Sequence, residues 1–269
     1  MKFVKHEFDG KARVVLNGYL YEGEKSIPRW QKRPAVVVCP GGAYKFCSER
    51  EADPIAMQYV AAGFNAFVFY YSVGDEAVFP NPLCELSVAM KYIREHSEEW
   101  GIIPDQIAVC GFSAGGHLAA SLGTLWNHPL IAQKTGINNG ENRPNALILG
   151  YPVISTSWIE NDGSLDRLIG DSDRETVLGL INCHKNVGPH TPETFLFHTF
   201  KDDVVPVEDS LKFASALAKA KVPFELHIYP NGPHGLSLAT QMTGDADPDA
   251  AGWMGLSVNW LLRVFGIRP

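Results

Sequence analysis

The sequence lacks the features of several large classes of protein. Its 269 residues contain five cysteines, an odd number without a close Cys-x-x-Cys pair, which argues against a disulfide framework and a zinc site. It contains no basic run, and its formal net charge is -7, so nucleic-acid and anionic membrane partners are disfavoured. No apolar run approaches the length of a membrane span. We therefore expect no metal, no cofactor, no nucleic acid and no membrane as partner.

The beginning of the chain also lacks the apolar core of a signal peptide, because charged side chains recur every few positions through residues 1–15. We therefore expect a cytoplasmic protein. Hydrophobic residues make up 45% of the chain, enough to bury a large core, and a single domain over residues 1–269 is the simplest organisation. A homodimer is compatible with this composition, and small molecules are the expected partners.

Short apolar runs alternate with helical patterns along most of the chain. The residues predict strands at 34–39, 65–71, 107–110, 146–151, 194–200 and 224–229, and helices at 53–62, 82–100, 114–126, 208–221 and 250–265. Residues 11–22, which contain Asn17-Gly18, predict an antiparallel strand or hairpin at the beginning of the sheet. This alternation predicts an α/β fold with a mostly parallel, doubly wound sheet and helices on both faces. Ligands of such sheets bind at the carboxyl ends of the strands.

One segment interrupts the alternation. Residues 153–192 are polar and rich in glycine and aspartate, with one short helical pattern near 174–181. Connections of this length are uncommon in a compact domain unless they have a function. We predict a small lid insertion that contacts substrate, while a surface loop without function is the alternative.

A serine follows the predicted strand that ends at Cys110. Residues 111–115 read Gly-Phe-Ser-Ala-Gly, and the next predicted helix begins at Ala114. Gly-x-Ser-x-Gly between a strand and a helix is typical of a turn that exposes a nucleophilic serine, and the two glycines leave the room that a strained turn needs. The amino end of the helix brings unpaired N–H groups toward the site where an oxyanion would form. Ser113 is the candidate nucleophile.

A serine hydroxyl needs a base, and the base needs an orienting carboxylate. His234 lies in a turn-rich loop after the strand predicted at 224–229, and Asp202 and Asp203 lie in the loop after the preceding strand. Both loops follow carboxyl ends of strands, on the rim predicted for Ser113. We predict His234 as the base and favour Asp202, the first acid after the strand, because Asp203 could instead cap the loop or pair with Lys201. Asp203 remains the alternative acid.

A loop of small residues follows the first buried strand. Pro40-Gly41-Gly42-Ala43-Tyr44 begins where Cys39 ends the predicted strand. Small residues allow backbone N–H groups to approach a substrate oxygen, so this loop is a candidate for binding the oxyanion, although Pro-Gly-Gly is also an ordinary turn sequence.

Five motifs together give the chain a resemblance to a known family. They are PGGAY at 40–44, GFSAGGHLAA at 111–120, YPVIS at 151–155, FHTFKDDVVPVEDS at 197–210 and IYPNGPHGLSLA at 228–239. The chain resembles the α/β-hydrolase superfamily, and within it the acetyl esterase/lipase branch that includes enzymes similar to acetyl xylan esterases. The resemblance implies Ser113, Asp202 and His234 as a catalytic triad and Gly42, Ala43 and Ala114 as oxyanion donors. Many relatives have His-Gly-Gly-Gly where this chain has Pro40-Gly41-Gly42-Ala43.

The resemblance also implies a substrate class. We expect hydrolysis of short-chain, mainly acetyl, esters of sugars or xylo-oligosaccharides through an acyl-enzyme. The alternatives are a serine peptidase of the prolyl-oligopeptidase type, which usually has a large additional domain, and a ligand-binding protein without activity on the same fold. Aromatic side chains could stack on a sugar, although most are more simply packing residues. The candidates are Tyr44, Trp100, Trp126, Trp158 and Trp253.

Overall fold

The computed structural model describes residues 1–8, 10, 13–22, 31–156, 164–170 and 173–267. A sheet of eight strands forms its centre, in the order β1-β2-β4-β3-β5-β6-β7-β8. The strands are β1 (Lys2–Glu7), β2 (Val15–Leu20), β3 (Arg33–Cys39), β4 (Asn65–Tyr70), β5 (Ile102–Phe112), β6 (Ala146–Gly150), β7 (Thr194–Thr199) and β8 (Phe224–Tyr229). β2 is antiparallel to β1 and to β4, and the pairs from β4 through β8 are parallel.

Helices cover both faces of the sheet. They are α1 (Asp53–Ala61), α2 (Asn81–Glu95), α3 (Ser113–Leu125), α4 (Pro129–Thr135), α5 (Ser164–Ile169), α6 (Arg174–Ile181), α7 (Glu208–Ala220) and α8 (Trp253–Val264). β3 alternates its side chains between two cores: Val37 belongs to the core that also contains residues of α2, α3 and α7, whereas Val36 belongs to the core that contains residues of α1 and α8. A strand buried on both faces accounts for the unbroken apolar run in the sequence. The mostly parallel, doubly wound sheet is thus confirmed.

The structure differs from the sequence-based expectations at the edges of several elements. β1 was not expected, since its charged, half-exposed residues resemble a surface segment, and it is the strand that pairs with β2. The antiparallel strand expected within residues 11–22 is confirmed as β2, but Asn17-Gly18 lies inside this strand, opposite Val4 and Lys5, and not in a hairpin turn. The helix predicted at 82–100 ends at Glu95, because the chain turns before Gly101, which has a φ of 60°. β5 then begins at Ile102, earlier than predicted.

The segment predicted as a lid, 153–192, contains α5 as well as the expected helix α6. Its residues 157–163 and 171–172, including Trp158, lie outside the described residues. Val153, Thr156 and Leu168 face the cavity above the carboxyl ends of the strands. This segment therefore supplies part of one wall of that cavity.

Candidate active site

The turn between β5 and α3 holds Ser113 in a strained conformation. Its backbone φ is 51°, a left-handed value that is unfavourable for a residue with a side chain, and it is 8% exposed at the floor of the cavity. The turn can pack against β3 only because Gly115, two residues after Ser113, has no side chain. A Cβ there would lie 2.2 Å from the Cys39 carbonyl oxygen, so β3 and α3 could not approach each other as they do.

Three predicted side chains meet in a chain of hydrogen bonds. Nε2 of His234 lies 2.9 Å from the Ser113 hydroxyl, and Nδ1 of His234 lies 2.7 Å from Oδ2 of Asp202. Because a carboxylate only accepts hydrogen bonds, Nδ1 carries the hydrogen and Nε2 presents its lone pair to the serine hydroxyl. The arrangement can take a proton from Ser113 and stabilise the charge that then forms on the ring.

The two adjacent acids differ in what their carboxylates contact. Oδ1 of Asp202 accepts hydrogen bonds from the N–H groups of Val204, at 3.0 Å, and Val205, at 2.8 Å, which turns Oδ2 toward the His234 ring. Asp203 instead accepts from the backbone N–H of His234 at 3.2 Å. The suggested pairing of Asp203 with Lys201 is not found, since the Lys201 ammonium donates to Asn231. Asp202 is thus the carboxylate that contacts the imidazole.

A second histidine, which the sequence analysis did not single out, also supports Asp202. Nε2 of His198 lies 3.0 Å from the Val205 carbonyl and 3.3 Å from Oδ2 of Asp202. Burial alone would raise the pKa of the Asp202 carboxyl, but hydrogen bonds from His198, His234 and the Val204 N–H, with the attraction of the His234 ring, hold it well below its usual range. Asp202 therefore stays ionised, and able to orient His234, through the mildly acidic range.

The loop after β3 offers backbone donors beside the serine. Within the described residues no acceptor is found for the N–H groups of Gly42 and Ala43, and the N–H of Ala114 lies in the first turn of α3, where no intrahelical acceptor exists. All three residues line the same cavity as Ser113. Gly42 has a φ of 127°, and a Cβ on it would lie 2.1 Å from the Phe46 carbonyl oxygen. These three N–H groups are available to a substrate oxygen.

A buried glutamate, also missed in the sequence, fixes the position of this loop. Glu51 is 2% exposed, and its carboxylate accepts hydrogen bonds from the N–H of Gly41, at 2.8 Å, and the hydroxyl of Tyr151, at 2.7 Å. The hydroxyl of Tyr151 in turn accepts from the N–H of Ser237 at 2.9 Å, and its ring packs edge-on to His234 at 5.1 Å. One carboxylate thus links the oxyanion loop to the loop that carries the histidine.

The cavity above Ser113 has a volume of about 250 Å³. Phe46 and Val204 contribute exposed apolar side chains to it, with 58% and 53% exposure. Of the aromatic residues proposed to stack on a sugar, Tyr44 lines the cavity, whereas Trp100 and Trp253 are buried in the cores and Trp126 packs against His190.

All five cysteines are free, and no three His, Cys, Asp or Glu side chains among the described residues are grouped to hold a metal ion. No helix in these residues combines the length and apolar character that crossing a bilayer requires.

His117 in α3 connects the serine turn with the loop after β3 and with the segment at 153–192. Its Nδ1 accepts from the Tyr44 hydroxyl at 2.8 Å, and its Nε2 donates to the Ile181 carbonyl at 2.8 Å. Burial lowers the pKa of this imidazole, and the hydrogen bond to Ile181 and the charge of Asp209 offset only part of the effect. In the folded protein the ring therefore stays neutral at pH values where the unfolded chain takes up a proton.

Acidification is expected to destabilise the protein through His117. The unfolded state binds more protons as the pH falls below about 6.5, so the free energy of unfolding decreases there until the folded-state pKa is reached. In His117→Gln, whose amide can replace both hydrogen bonds, the decrease between pH 7 and pH 5 should be smaller. Thermal denaturation at several pH values measures it. An equally steep loss of stability in the variant would show that His117 does not contribute.

Comparison with known proteins places these features in a family. Residues 26–217 match the BD-FAE family. The chain is 34% identical, over 83% of its length, to endo-1,4-beta-xylanase B of Butyrivibrio fibrisolvens, and 28% identical, over 86%, to an acetylxylan esterase of Xylanibacter ruminicola. The match covers 35% of the first relative and 45% of the second, so this chain corresponds to less than half of each.

Solved structures match the entire fold. MGS-M1, an α/β-hydrolase enzyme from a Medee basin deep-sea metagenome library, has a TM-score of 0.82 at 37% identity, over 99% of both chains. Carboxylesterase Cest-2923 of Lactobacillus plantarum has a TM-score of 0.90 at 26% identity, over 100% of both.

A third solved structure is an acetyl ester-xyloside bifunctional hydrolase from Caldicellulosiruptor lactoaceticus. It has a TM-score of 0.82 at 34% identity, over 97% of this chain and 92% of that one. The family match covers well over half of the chain, and the structural matches cover nearly all of it. The chain therefore has the α/β-hydrolase fold and belongs to the BD-FAE family.

Proposed function

We propose that this protein is a serine carboxylesterase that hydrolyses acetyl and other short-chain esters of sugars or xylo-oligosaccharides. The observation that carries the proposal is the hydrogen-bond chain from Ser113 through His234 to Asp202 at the floor of a cavity. The names of the relatives support the ester chemistry, and two of them, an acetylxylan esterase and an acetyl ester-xyloside hydrolase, support an acetylated sugar as substrate.

The reaction would proceed in two steps. Nε2 of His234 takes the proton of the Ser113 hydroxyl as its oxygen attacks the ester carbonyl, while Asp202 stabilises the imidazolium that forms. The N–H groups of Gly42, Ala43 and Ala114 would bind the oxyanion. The imidazolium then protonates the leaving alcohol, and an acyl group remains bonded to Ser113. In the second step His234 takes a proton from a water molecule as the water oxygen attacks the acyl carbon. The imidazolium then returns a proton to the Ser113 oxygen as its bond to the acyl group breaks, which releases the acid.

The shape of the cavity supports a short acyl group. Its volume is about 250 Å³, and Val153, Thr156 and Leu168 of the segment at 153–192 close one side of it. We propose that this segment acts as the small lid expected from the sequence. Beyond the mouth, the alcohol part of an ester can extend into solvent, so the size of the sugar would be less restricted than that of the acyl group.

A panel of esters tests the proposal. The purified protein should release acid fastest from acetyl esters, with kcat/KM falling as the acyl chain grows from acetyl to octanoyl, and it should deacetylate xylo-oligosaccharides. A chromogenic dipeptide in the same assay should not be cleaved, because cleavage would favour a peptidase. A fluorophosphonate should label wild-type protein but not Ser113→Ala. Absence of both labelling and ester turnover would favour a binding protein without activity.

A further inference from the structure

Arg50 lies at the edge of the cavity, next to the loop that carries His234. We propose that its guanidinium binds a carboxylate on the leaving alcohol of the substrate, so that esters of acidic alcohols, such as uronic acids or hydroxy acids, are preferred over neutral ones. This inference rests on the proposed esterase function and adds a specificity-determining residue to it.

The position of the guanidinium follows from two glycines. A Cβ at Gly235 would lie 2.4 Å from Nη2 of Arg50, and a Cβ at Gly244 would lie 3.1 Å from Nη1. The guanidinium therefore occupies space that is open because neither residue has a side chain. Arg50 is an exposed residue that lines the cavity, so its guanidinium is accessible to a ligand there.

The guanidinium of Arg50 makes no hydrogen bond or ion pair with any described residue. The adjacent carboxylate of Glu51 accepts instead from the Gly41 N–H and the Tyr151 hydroxyl. Of the described residues that line the cavity, Arg50 alone is an arginine or lysine. A guanidinium presents a planar set of donors that matches a carboxylate in two parallel hydrogen bonds.

The side of the substrate that Arg50 faces follows from the proposed mechanism. Nε2 of His234 would protonate the oxygen of the leaving alcohol, so that alcohol must lie on the side of the histidine. Gly235 directly follows His234, and Nη2 of Arg50 lies against it. A carboxylate on the alcohol, and not on the acyl group, is therefore within reach. Because the protein has a net charge of -7, a preference for an anionic ester requires a local cation of this kind.

Paired substrates test the proposal. Acetylated methyl glucuronoside is compared with the matching acetylated methyl glucoside, and 4-acetoxybenzoate with 4-acetoxybenzamide. In Arg50→Gln the ratio of kcat/KM for the charged ester to that for the neutral one should fall about 10- to 100-fold, mainly through KM, as for loss of a charge-assisted hydrogen bond. Arg50→Lys should keep part of the preference. A loss of preference within the glucuronoside pair would indicate sugar acids as ligands, and a loss within the benzoate pair would indicate hydroxy acids.

Control variants and substrates separate binding of an alcohol-side carboxylate by Arg50 from a general effect of charge or structure. Lys45→Gln removes an exposed positive charge outside the cavity and should change the ratio less than about twofold. Mono-4-nitrophenyl succinate, compared with 4-nitrophenyl butyrate, places the carboxylate on the acyl side, and a loss there alone would overturn the assignment to the alcohol. An equal loss on charged and neutral esters in Arg50→Gln would also overturn the proposal, since Arg50 would then only support Glu51.

A binding measurement keeps this inference separate from the esterase proposal. In the Ser113→Ala background, 4-hydroxybenzoate is titrated by NMR or calorimetry, which requires no turnover. Its Kd should rise about 10-fold or more when Arg50→Gln is added. An unchanged Kd would contradict the role of Arg50 even in an active esterase. A protein that binds the acid through Arg50 but hydrolyses no ester would contradict only the proposed function.

Discussion

Ser113→Ala is expected to lower kcat on an acetyl ester by about 10⁴- to 10⁶-fold, the range seen when the nucleophile of a serine hydrolase is removed. The reason is that no acyl-enzyme can form, while His234 and the N–H groups of the oxyanion loop remain to bind substrate. KM should therefore change much less than kcat. Hydrolysis of 4-nitrophenyl acetate by wild-type and variant protein, measured with the same preparation, gives both constants.

Thermal unfolding measurements show whether the loss of kcat comes from the missing hydroxyl group or from loss of the fold. Alanine leaves the volume at position 113 almost unchanged, so the thermal unfolding temperature should stay close to that of the wild type. Ser113→Gly provides a second variant: glycine adopts the φ of 51° found there without strain, so this protein should be inactive without loss of fold. Activity within about tenfold of the wild type in either folded variant would refute Ser113 as the nucleophile.

The central part of the fold could be predicted because both faces of the sheet are covered. The apolar runs of β3 and β4 leave few alternatives to buried strands, and their alternation with helices determines the topology. β1 could not be recognised in the same way. It is an edge strand with charged, half-exposed side chains, and its pairing with β2 gives no periodic apolar signal.

The catalytic candidates were predictable to different degrees. Ser113 lies in a local motif, and His234 lies in a loop after a strand end, so position alone indicated both. Glu51 gave no such signal, because its sequence, Ser-Glu-Arg-Glu, resembles an exposed turn. Its burial depends on Tyr151, 100 residues away in the chain. Contacts at that separation are set by the completed fold, and a single sequence does not reveal them.

The choice between Asp202 and Asp203 had to await the structure. Both follow β7, and the sequence favoured Asp202 without showing which carboxylate turns toward the imidazole. The N–H groups of Val204 and Val205 decide it, because they bind one oxygen of Asp202 and leave the other facing His234. The distinction can be tested with a matched pair of variants.

Asp202→Asn is expected to lower kcat about 10⁴-fold, whereas Asp203→Asn should change it less than about threefold. The amide oxygen at 202 is drawn to the N–H groups of Val204 and Val205, so its NH₂ group faces Nδ1 of His234. That nitrogen must then accept a hydrogen bond, and the hydrogen moves to Nε2, where it faces the Ser113 hydroxyl. The imidazole can no longer take the serine proton. Steady-state kinetics at neutral pH measures the effect.

Asp203→Asn serves as the control because it preserves its own contact. The side-chain oxygen of an asparagine can still accept from the backbone N–H of His234, which keeps the loop in place, while the charge near the ring is removed. A small effect at 203 beside a large one at 202 would therefore separate direct contact with the imidazole from general electrostatics. A larger loss in Asp203→Asn than in Asp202→Asn would identify Asp203 as the acid, against the geometry of the folded loop.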